Sequence, residues 1–277
     1  MIQGETLTFP IRANHLEFRM RAGKPVHRRR SKYQTIEVID TACFGRLLLL
    51  DGHIQLTELD ERSYHEALVQ IPLLSLDRPR RALVVGGGDG GVLREICKSR
   101  NIEHVDLVEI DGEVIEVCRE HLPSLNAGAF DDPRVRVHIA DAFPFVKGGL
   151  EPYDLIVVDC TDVYEDERGS LSEPLFSDEF YRDILRLLTD GGIVVTQADN
   201  PVFCPYSLHT TQTIFQRIFP HSGHYHAIVP SFGGFSAFCW GSKGAEPARA
   251  WPQAADRADL KALTPEAWSY AFSPLPF

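Results

Sequence analysis

The sequence predicts an α/β fold in which a mostly parallel sheet carries helices on both faces and a small antiparallel β domain precedes it. First, apolar runs typical of buried strands alternate with amphipathic segments from about residue 80 onward, as in ALVVG, HVDLVEID, VRVHIAD, YDLIVVD and IVVTQAD. Alternation at this spacing is typical of parallel strands joined by helices. Second, the runs LEFRM, TIEVID and GRLLLLDG alternate apolar and polar residues across short linkers between about residues 11 and 50. That pattern predicts antiparallel hairpins.

A helix is predicted to join the two parts. Residues 58–74 place four side chains on roughly one helical face, Tyr64, Leu68, Ile71 and Leu74. Pro72 lies near the end of this segment and Pro79 lies in the linker beyond it, which indicates a domain boundary around residues 75–80. We therefore expect a β-strand domain over residues 1–75 and a Rossmann-like domain, of the type found in class I methyltransferases, over residues 76–277.

Three peripheral segments carry weaker signals. The runs HYHAIVPSF and FSAFCWG, joined by Gly233-Gly234, are expected to form an antiparallel hairpin at the sheet edge. Residues 245–277 are rich in Ala and Pro and are expected to wrap the surface. The basic run His27–Arg30 could contact phosphate, but such runs are more often solvated loops, and we expect a loop here.

Composition limits the class of partner. The chain of 277 residues has 44% apolar residues, which is ordinary for a soluble globular protein, and a formal net charge of −11. An acidic surface repels nucleic acid and anionic membranes and attracts polycations, so we expect no nucleic-acid or membrane partner. The six cysteines form no C-x-x-C pair, and no segment resembles a signal peptide or membrane span. We therefore expect a reduced, cytoplasmic protein without a zinc site.

The stretch ALVVGGGDGGVLREICKSRNIEHVDLVEID, residues 82–111, predicts strand, tight turn, helix and strand. Glycines such as Gly86 and Gly88 let the backbone turn sharply and bring its N–H groups close to a ligand. Glu109 ends the second strand, where a carboxylate can accept hydrogen bonds from both ribose hydroxyls. Asp89 would repel a pyrophosphate. We expect a cationic nucleoside with a free amino group and no carboxylate, such as a sulfonium compound; the alternative is a purely structural turn.

Polar side chains recur at the predicted carboxyl ends of successive strands, where open parallel sheets bind ligands. They are Asp89, Glu109 with Asp111, Asp141, Asp159 with Asp162, and Gln197 with Asp199. Any one of them could instead cap a helix. Because they follow five successive strands, we expect them to share one acidic rim of the sheet.

Several longer motifs carry a family resemblance. They are SKYQTIEVIDTACFGRLLLLDGHIQLTELDERSYHEAL, VVGGGDGGVLRE, VEIDGEVIEVCREHLP, DDPRVRVHIADA, YDLIVVDCTD, LFSDEFY and GGIVVTQ. With these motifs the chain resembles the polyamine aminopropyltransferases, typified by spermidine synthase, over roughly residues 10–245. The resemblance implies decarboxylated S-adenosylmethionine as co-substrate, no prosthetic group, a polyamine acceptor, and a homodimer or homotetramer. It also implies a set of residues that contact the co-substrate: Gln34, Gln55, Gly86, Gly88, Asp89, Glu109, Asp141 and Ala142.

Within that set the resemblance implies separate roles. Glu109 would hold the ribose hydroxyls, and Asp141 with Ala142 would hold the adenine. Asp89 with Gln55 would bind the amino end of the aminopropyl group.

The chemistry explains why the acceptor side would be acidic. In aminopropyl transfer an amine attacks the carbon beside a sulfonium, and methylthioadenosine leaves. A free amine has a pKa of about 10 and arrives protonated at neutral pH, so a base must take a proton. By the resemblance Asp159, helped by the Tyr64 hydroxyl, is the expected base. The acceptor is expected to contact Tyr64, His65, Asp89, Asp162, Gln197 and Phe232.

The sequence departs from the family pattern near the acceptor. Val163 stands where the D-x-T-D motif normally continues with Pro, and the loop over residues 163–174 is longer and more acidic. Phe232 stands where a Tyr is common, so an apolar wall replaces a hydrogen bond. The acceptor therefore stays open between putrescine and other di- or polyamines. The alternative functions are an S-adenosylmethionine-dependent methyltransferase on the same fold and a non-catalytic polyamine-binding protein.

The histidines at positions 221, 224 and 226 are close in sequence. If the segment enters a strand, only His224 and His226 share a face, and no nearby Cys or acid completes a ligand set. We therefore expect no metal site.

Overall fold

The computed structural model describes residues 6–11, 13–161 and 173–275. Asp162 and most of the acidic loop over residues 163–174 lie outside the described residues. The described chain forms one five-stranded antiparallel sheet and one seven-stranded, mostly parallel sheet with helices on both faces. This architecture confirms the predicted fold class.

The N-terminal sheet pairs its five strands in chain order. They are β1 (Thr6–Ile11), β2 (Ala13–Arg30), β3 (Thr35–Thr41), β4 (Gly45–Leu50) and β5 (His53–Thr57). The turn between β4 and β5 consists of Asp51 and Gly52, whose φ angles are 47° and 84°. Two positive φ values are what a type I′ turn requires, and its twist matches that of the flanking strands.

The prediction of a solvated loop for His27–Arg30 is wrong, because this run continues β2 to its end. Its arginines find acidic partners across the surface. Arg29 donates to Glu116 at 2.9 Å, and Arg30 donates to Asp51 at 3.0 Å. Extended backbone is compatible with the charges because these side chains stay exposed.

The second sheet has the order β11-β12-β10-β9-β6-β7-β8. Its strands are β6 (Arg81–Gly86), β7 (His104–Glu109), β8 (Val135–Ile139), β9 (Tyr153–Asp159), β10 (Leu188–Gln197), β11 (His221–Val229) and β12 (Gly234–Ser242). Strands β6 to β10 pair in parallel, and β12 pairs antiparallel with both β10 and β11, as predicted for the edge hairpin. The chain proceeds from β6 outward to β8 and then returns to the other side of β6, so the strand order reverses between β6 and β9. Ligands bind at such a switch point.

The helices cover both faces of this sheet. They are α1 (Glu61–Leu73), α2 (Gly91–Cys97), α3 (Gly112–His121), α4 (Pro123–Asn126), α5 (Ala142–Phe145), α6 (Asp178–Leu187), α7 (Pro205–Ile218) and α8 (Pro265–Ala271). Within β6, Ala82 and Val84 pack in one core with α1 and α2, whereas Leu83 and Val85 pack in another with α6 and α7. Burial on both faces explains why the strand reads as a continuous apolar run.

The C-terminal segment does more than wrap the surface, which corrects the expectation for residues 245–277. Trp268 on α8 is fully buried. Glu66 on α1 is also fully buried, and its carboxylate accepts backbone N–H groups from residues 261–263 at 2.7 to 2.9 Å.

Helix α1 packs on α2 and β11. The predicted domain boundary after residue 75 stays a prediction. None of the helices in the described segments has the length and apolar character needed to cross a bilayer.

Candidate active site

A cavity of about 760 Å³ opens at the carboxyl ends of β6, β7, β9 and β10, and residues of the N-terminal sheet line its other side. All the predicted site residues that the structure describes line this cavity: Gln34, Gln55, Tyr64, His65, Gly86, Gly88, Asp89, Glu109, Asp141, Ala142, Asp159, Gln197 and Phe232. Asp162 lies outside the described residues. Residues far apart in the chain therefore converge on one site, while their individual roles stay predictions.

The glycine turn is required by close packing as well as by space for a ligand. Gly86 has a φ of 79° and pairs with Asp159 on β9. A Cβ atom there would lie 2.2 Å from the backbone oxygen of Asp159, and one at Gly88 would lie 2.9 Å from Oε2 of Glu109. The turn thus fits between the backbone of Asp159 and the carboxylate of Glu109, the residues for which a catalytic role and ribose binding are predicted.

Glu109 is a buried carboxyl group at the end of β7, and its Oε1 accepts the N–H of Asp111 at 2.8 Å. Burial raises the pKa of Glu109 to about 7 in spite of this hydrogen bond, and the negative charges of Asp111 and Asp89 add to the shift. Ionised and protonated forms are therefore balanced near neutral pH. A ligand that donates hydrogen bonds to this group would favour the ionised form.

Asp111 links the N-terminal sheet to this site although it does not line the cavity. Its Oδ2 accepts from Ser31 Oγ at 2.6 Å and from Gln34 Nε2 at 3.0 Å. Its Oδ1 accepts the N–H of Glu113 and caps α3. The sequence indicated Asp111 only as part of the acidic rim. In the structure Asp111 also holds the side chain of Gln34 beside the end of β7.

Helix caps and ligand contacts are not exclusive on this rim. Asp141 accepts the N–H of Phe143 at the start of α5 and also lines the cavity. Asp89 accepts the N–H of Gly91 at 2.6 Å and lines it as well. Asp141 therefore caps a helix and still lines the cavity, and its contact with a ligand stays a prediction.

Behind Asp89 a chain of buried charges runs to α2. His65 Nε2 lies 3.4 Å from Asp89 Oδ1, and His65 Nδ1 lies 2.8 Å from Glu61 Oε2. Arg94 donates to both carboxylate oxygens of Glu61, at 3.0 and 2.8 Å. Sequence reasoning missed Glu61 and Arg94; the spacing of four residues between Glu61 and His65 on a predicted helix was the available signal.

These contacts fix the charges of Glu61, His65 and Asp89. Burial alone would lower the pKa of His65, but Asp89 and Glu61 outweigh it and raise the pKa to about 10. Burial opposes ionisation of Glu61, yet His65 and Arg94 lower its pKa to about 2. The pKa of Asp89 is lowered against burial by His65 and by the N–H of Gly91. His65 is therefore an imidazolium between two carboxylates at neutral pH.

Tyr64 and Asp159 form the direct contact expected of the catalytic pair. The hydroxyl of Tyr64 donates to Asp159 Oδ1 at 2.6 Å. The tyrosine ring is held edge-on by Phe232, with ring centroids 5.5 Å apart, and tilted against Phe238 at 5.4 Å. The apolar wall inferred at Phe232 therefore also positions the Tyr64 ring.

Gln197 at the end of β10 bridges two neighbouring loops. Its Nε2 donates to the backbone oxygen of Cys160, and its Oε1 accepts the N–H of Asp199, both at 3.0 Å. Asp199 is buried, has a φ of 58°, and lines the cavity. A further carboxylate thus lines the cavity next to Gln197.

Histidine and carboxylate side chains lie close together both at β11 and at the cavity. On β11, His221 contacts Glu246 and His224 contacts Gln212, whereas His226 packs against the rings of Phe235 and Tyr270. In the part of the chain that the structure describes, ligand atoms of three residues lie within 4.8 Å of one another, in His65, Asp89 and Asp159. The carboxylates of Asp89 and Asp159 in this group can accept hydrogen bonds from an ammonium ion.

Comparisons with known proteins bear on the whole chain. A family model described as spermine/spermidine synthase domain matches residues 61–248, and one described as spermidine synthase tetramerisation domain matches residues 10–58. The chain is 40% identical over 263 residues to the polyamine aminopropyltransferase of Moorella thermoacetica, covering 95% of this chain and 91% of that protein. It is 41% identical over 218 residues to polyamine aminopropyltransferase 1 of Pseudomonas aeruginosa, covering 78% and 74%.

Solved structures agree with these relatives. A spermidine synthase crystallised with the transition-state analogue AdoDATO is similar with a TM-score of 0.91 and 27% identity, covering 98% of this chain and 93% of that chain. The spermidine synthase of Thermotoga maritima is similar with a TM-score of 0.89 and 27% identity, covering 99% and 92%.

Proposed function

The chain belongs to the spermine/spermidine synthase family and is an aminopropyltransferase, and from that premise we propose how its residues carry out the transfer. The co-substrate is decarboxylated S-adenosylmethionine. Glu109 accepts hydrogen bonds from the ribose hydroxyls, Asp141 and Ala142 bind the adenine, and Asp89 with Gln55 binds the terminal ammonium. Placement of all five residues on one cavity supports this assignment.

The step itself takes place between Asp89 and Asp159, whose carboxylate oxygens come within 4.8 Å of each other. The acceptor amine nitrogen bonds to the carbon beside the sulfonium, the carbon–sulfur bond breaks with its electron pair on sulfur, and neutral methylthioadenosine leaves. The proton of the amine passes to Asp159. Tyr64 donates to the same carboxylate and orients it, which is the observation that carries the proposal.

Replacement of Asp159 by Asn tests the role of the base. A positioned general base typically contributes about 10² to 10⁴ in rate, so kcat should fall by that range while methylthioadenosine binds with unchanged affinity. Asp190→Asn, which alters a fully exposed carboxylate, is the matched control and should keep the original rate. Near-normal turnover in Asp159→Asn would remove the assignment.

The acceptor is a di- or polyamine, with putrescine as the first candidate. The acidic rim and the net charge of −11 support a polycation, and Phe232 provides an apolar wall for its methylene groups. Asp162 is proposed to bind the second ammonium, and His65 and Gln197 to complete the acceptor side. Incubation with decarboxylated S-adenosylmethionine and a panel of amines, read by mass spectrometry, would show which amine gains one aminopropyl unit.

The same assay separates the alternative functions. An aminopropyl transfer releases methylthioadenosine, whereas a methyltransferase given intact S-adenosylmethionine would release S-adenosylhomocysteine. Asp89 supports the first reaction, because its negative charge repels the carboxylate of the intact compound and attracts a bare ammonium. A non-catalytic polyamine-binding protein would give neither product.

Assembly and location follow the same family. A homodimer or homotetramer is supported by the tetramerisation-domain match over residues 10–58, and sedimentation velocity would identify which one forms. A cytoplasmic location is supported by six cysteines without a disulfide.

A further inference from the structure

The chain Arg94–Glu61–His65–Asp89 connects the interior of the protein to the cavity through side chains that are mostly buried. Glu61, His65 and Arg94 each expose 6% or less of their side chains. His65 and Asp89 line the cavity, whereas Glu61 and Arg94 lie behind it. The cost of burying an arginine and a glutamate here is large unless they are paired, and the pairing ends on the carboxylate that faces the ligand.

We propose that Glu61 is a positioning residue that, together with Arg94, holds the His65 imidazolium against one oxygen of Asp89 so that the other oxygen faces the ammonium end of the co-substrate. The proposal rests on the proposed function, since it concerns the same site. Both described contacts of Asp89, from Gly91 N at 2.6 Å and from His65 Nε2 at 3.4 Å, fall on Oδ1. Oδ2 therefore remains for the ligand.

The His65 ring also packs closely against the first residue of α2. A Cβ atom at Gly91, the first residue of α2, would lie 2.3 to 2.5 Å from three atoms of the imidazole. The ring is thus enclosed by α1, which carries Glu61, by the glycine turn, which carries Asp89, and by α2.

Carboxylates approach His65 from three elements of the structure. Glu61 lies on its own helix and Asp89 on the turn; Asp159 at the end of β9 approaches within 4.8 Å. Arg94 on α2 contacts Glu61 rather than the imidazole. Burial lowers the pKa of His65, but the carboxylates of Asp89 and Glu61 outweigh it and keep the ring protonated.

Proton NMR tests directly whether Glu61 keeps His65 in its charged form. The His65 signal is assigned by its loss in His65→Gln and followed between pH 6 and 9. It should not titrate in the original protein, and in Glu61→Gln its midpoint should move down into this range. Glu66→Gln, the same change at a buried position of the same helix, is the control and should leave the His65 signal unchanged. Titration of His65 near pH 6.5 in the original protein, or an unaltered signal in Glu61→Gln, would overturn the proposal.

Binding separates positioning from a general structural role. Glu61→Gln should weaken decarboxylated S-adenosylmethionine about tenfold in calorimetry and raise its KM, with kcat nearly unchanged. Methylthioadenosine, which lacks the ammonium, should bind as before. Equal losses for both ligands would indicate mere destabilisation and would overturn the proposal.

A steric variant repeats the test without changing charge. Gly91→Ala should push the imidazole out of its seat and produce the same selective loss for the ammonium-bearing ligand. If both Gly91→Ala and Glu61→Gln bind decarboxylated S-adenosylmethionine with unchanged affinity, the positioning role of Glu61 and His65 is refuted. If the protein releases no methylthioadenosine with any amine, the proposed function fails instead. The NMR result still decides whether Glu61 keeps His65 charged.

Discussion

The binding of methylthioadenosine should depend on pH through Glu109. The buried carboxyl of this residue has a pKa of about 7, and we propose that the ribose hydroxyls donate to its ionised form. If only that form binds the ribose, about one molecule in ten is competent at pH 6, and affinity is about tenfold weaker there than at pH 8.5, or about 1.4 kcal/mol. Affinity therefore rises with pH through neutrality.

Titration calorimetry between pH 6 and 8.5 measures this effect. His65 has a pKa of about 10 and the pKa of Asp89 is lowered, so neither changes charge in that interval. Glu109→Gln should bind more weakly at all pH values and show no pH dependence. The analogue without the 2′- and 3′-hydroxyls should behave in the same way with the unaltered protein. Affinity that stays constant, or that increases as pH falls, would refute the assignment of Glu109 to the ribose.

Further predictions concern the catalytic pair, the glycine turn and the C-terminal helix. Tyr64→Phe removes the hydrogen bond to Asp159 and should lower kcat about tenfold or more with little change in methylthioadenosine affinity; a rate equal to that of the original protein would contradict the orienting role. Gly86→Ala forces a Cβ to 2.2 Å from a backbone oxygen at a φ of 79° and should cost more than about 2 kcal/mol in urea unfolding, whereas Gly191→Ala, with open space around it, should not. Trp268→Ala should cost about 3 to 5 kcal/mol; a loss below about 1 kcal/mol would show that α8 is not part of the core.

Local patterns were sufficient for the strands and for the acidic rim. The apolar runs predicted β6, β7, β9 and β10 because strands buried on both faces carry apolar residues at every position. Their order in the sheet places Gly86 beside Asp159, and the carboxyl ends of parallel strands necessarily meet at one edge. Asp89, Glu109, Asp159 and Gln197, predicted from these strand ends, therefore line one cavity, whereas Asp111 lies behind it.

Where local patterns failed, contacts distant in sequence decided the outcome. The run His27–Arg30 reads as a loop because it is charged, yet strand pairing with β3 keeps it extended. The composition of the C-terminal segment, rich in Ala and Pro, predicts a position on the surface. In the structure the Glu66 carboxylate accepts hydrogen bonds from its backbone N–H groups, and Trp268 packs in the core.

The sequence by itself determined the fold class and the strand-end residues that meet at the cavity, because glycine turns and strand-end carboxylates are local features with fixed positions in a parallel sheet. The family motifs added other residues that line it, such as His65. Only the tertiary structure decided their charges. Burial sets Glu109 between its two protonation states, and the approach of Glu61 and Asp89 from separate elements keeps His65 protonated. Solvent exclusion and the distance between groups remote in the chain control a pKa, and neither can be read from the order of residues alone.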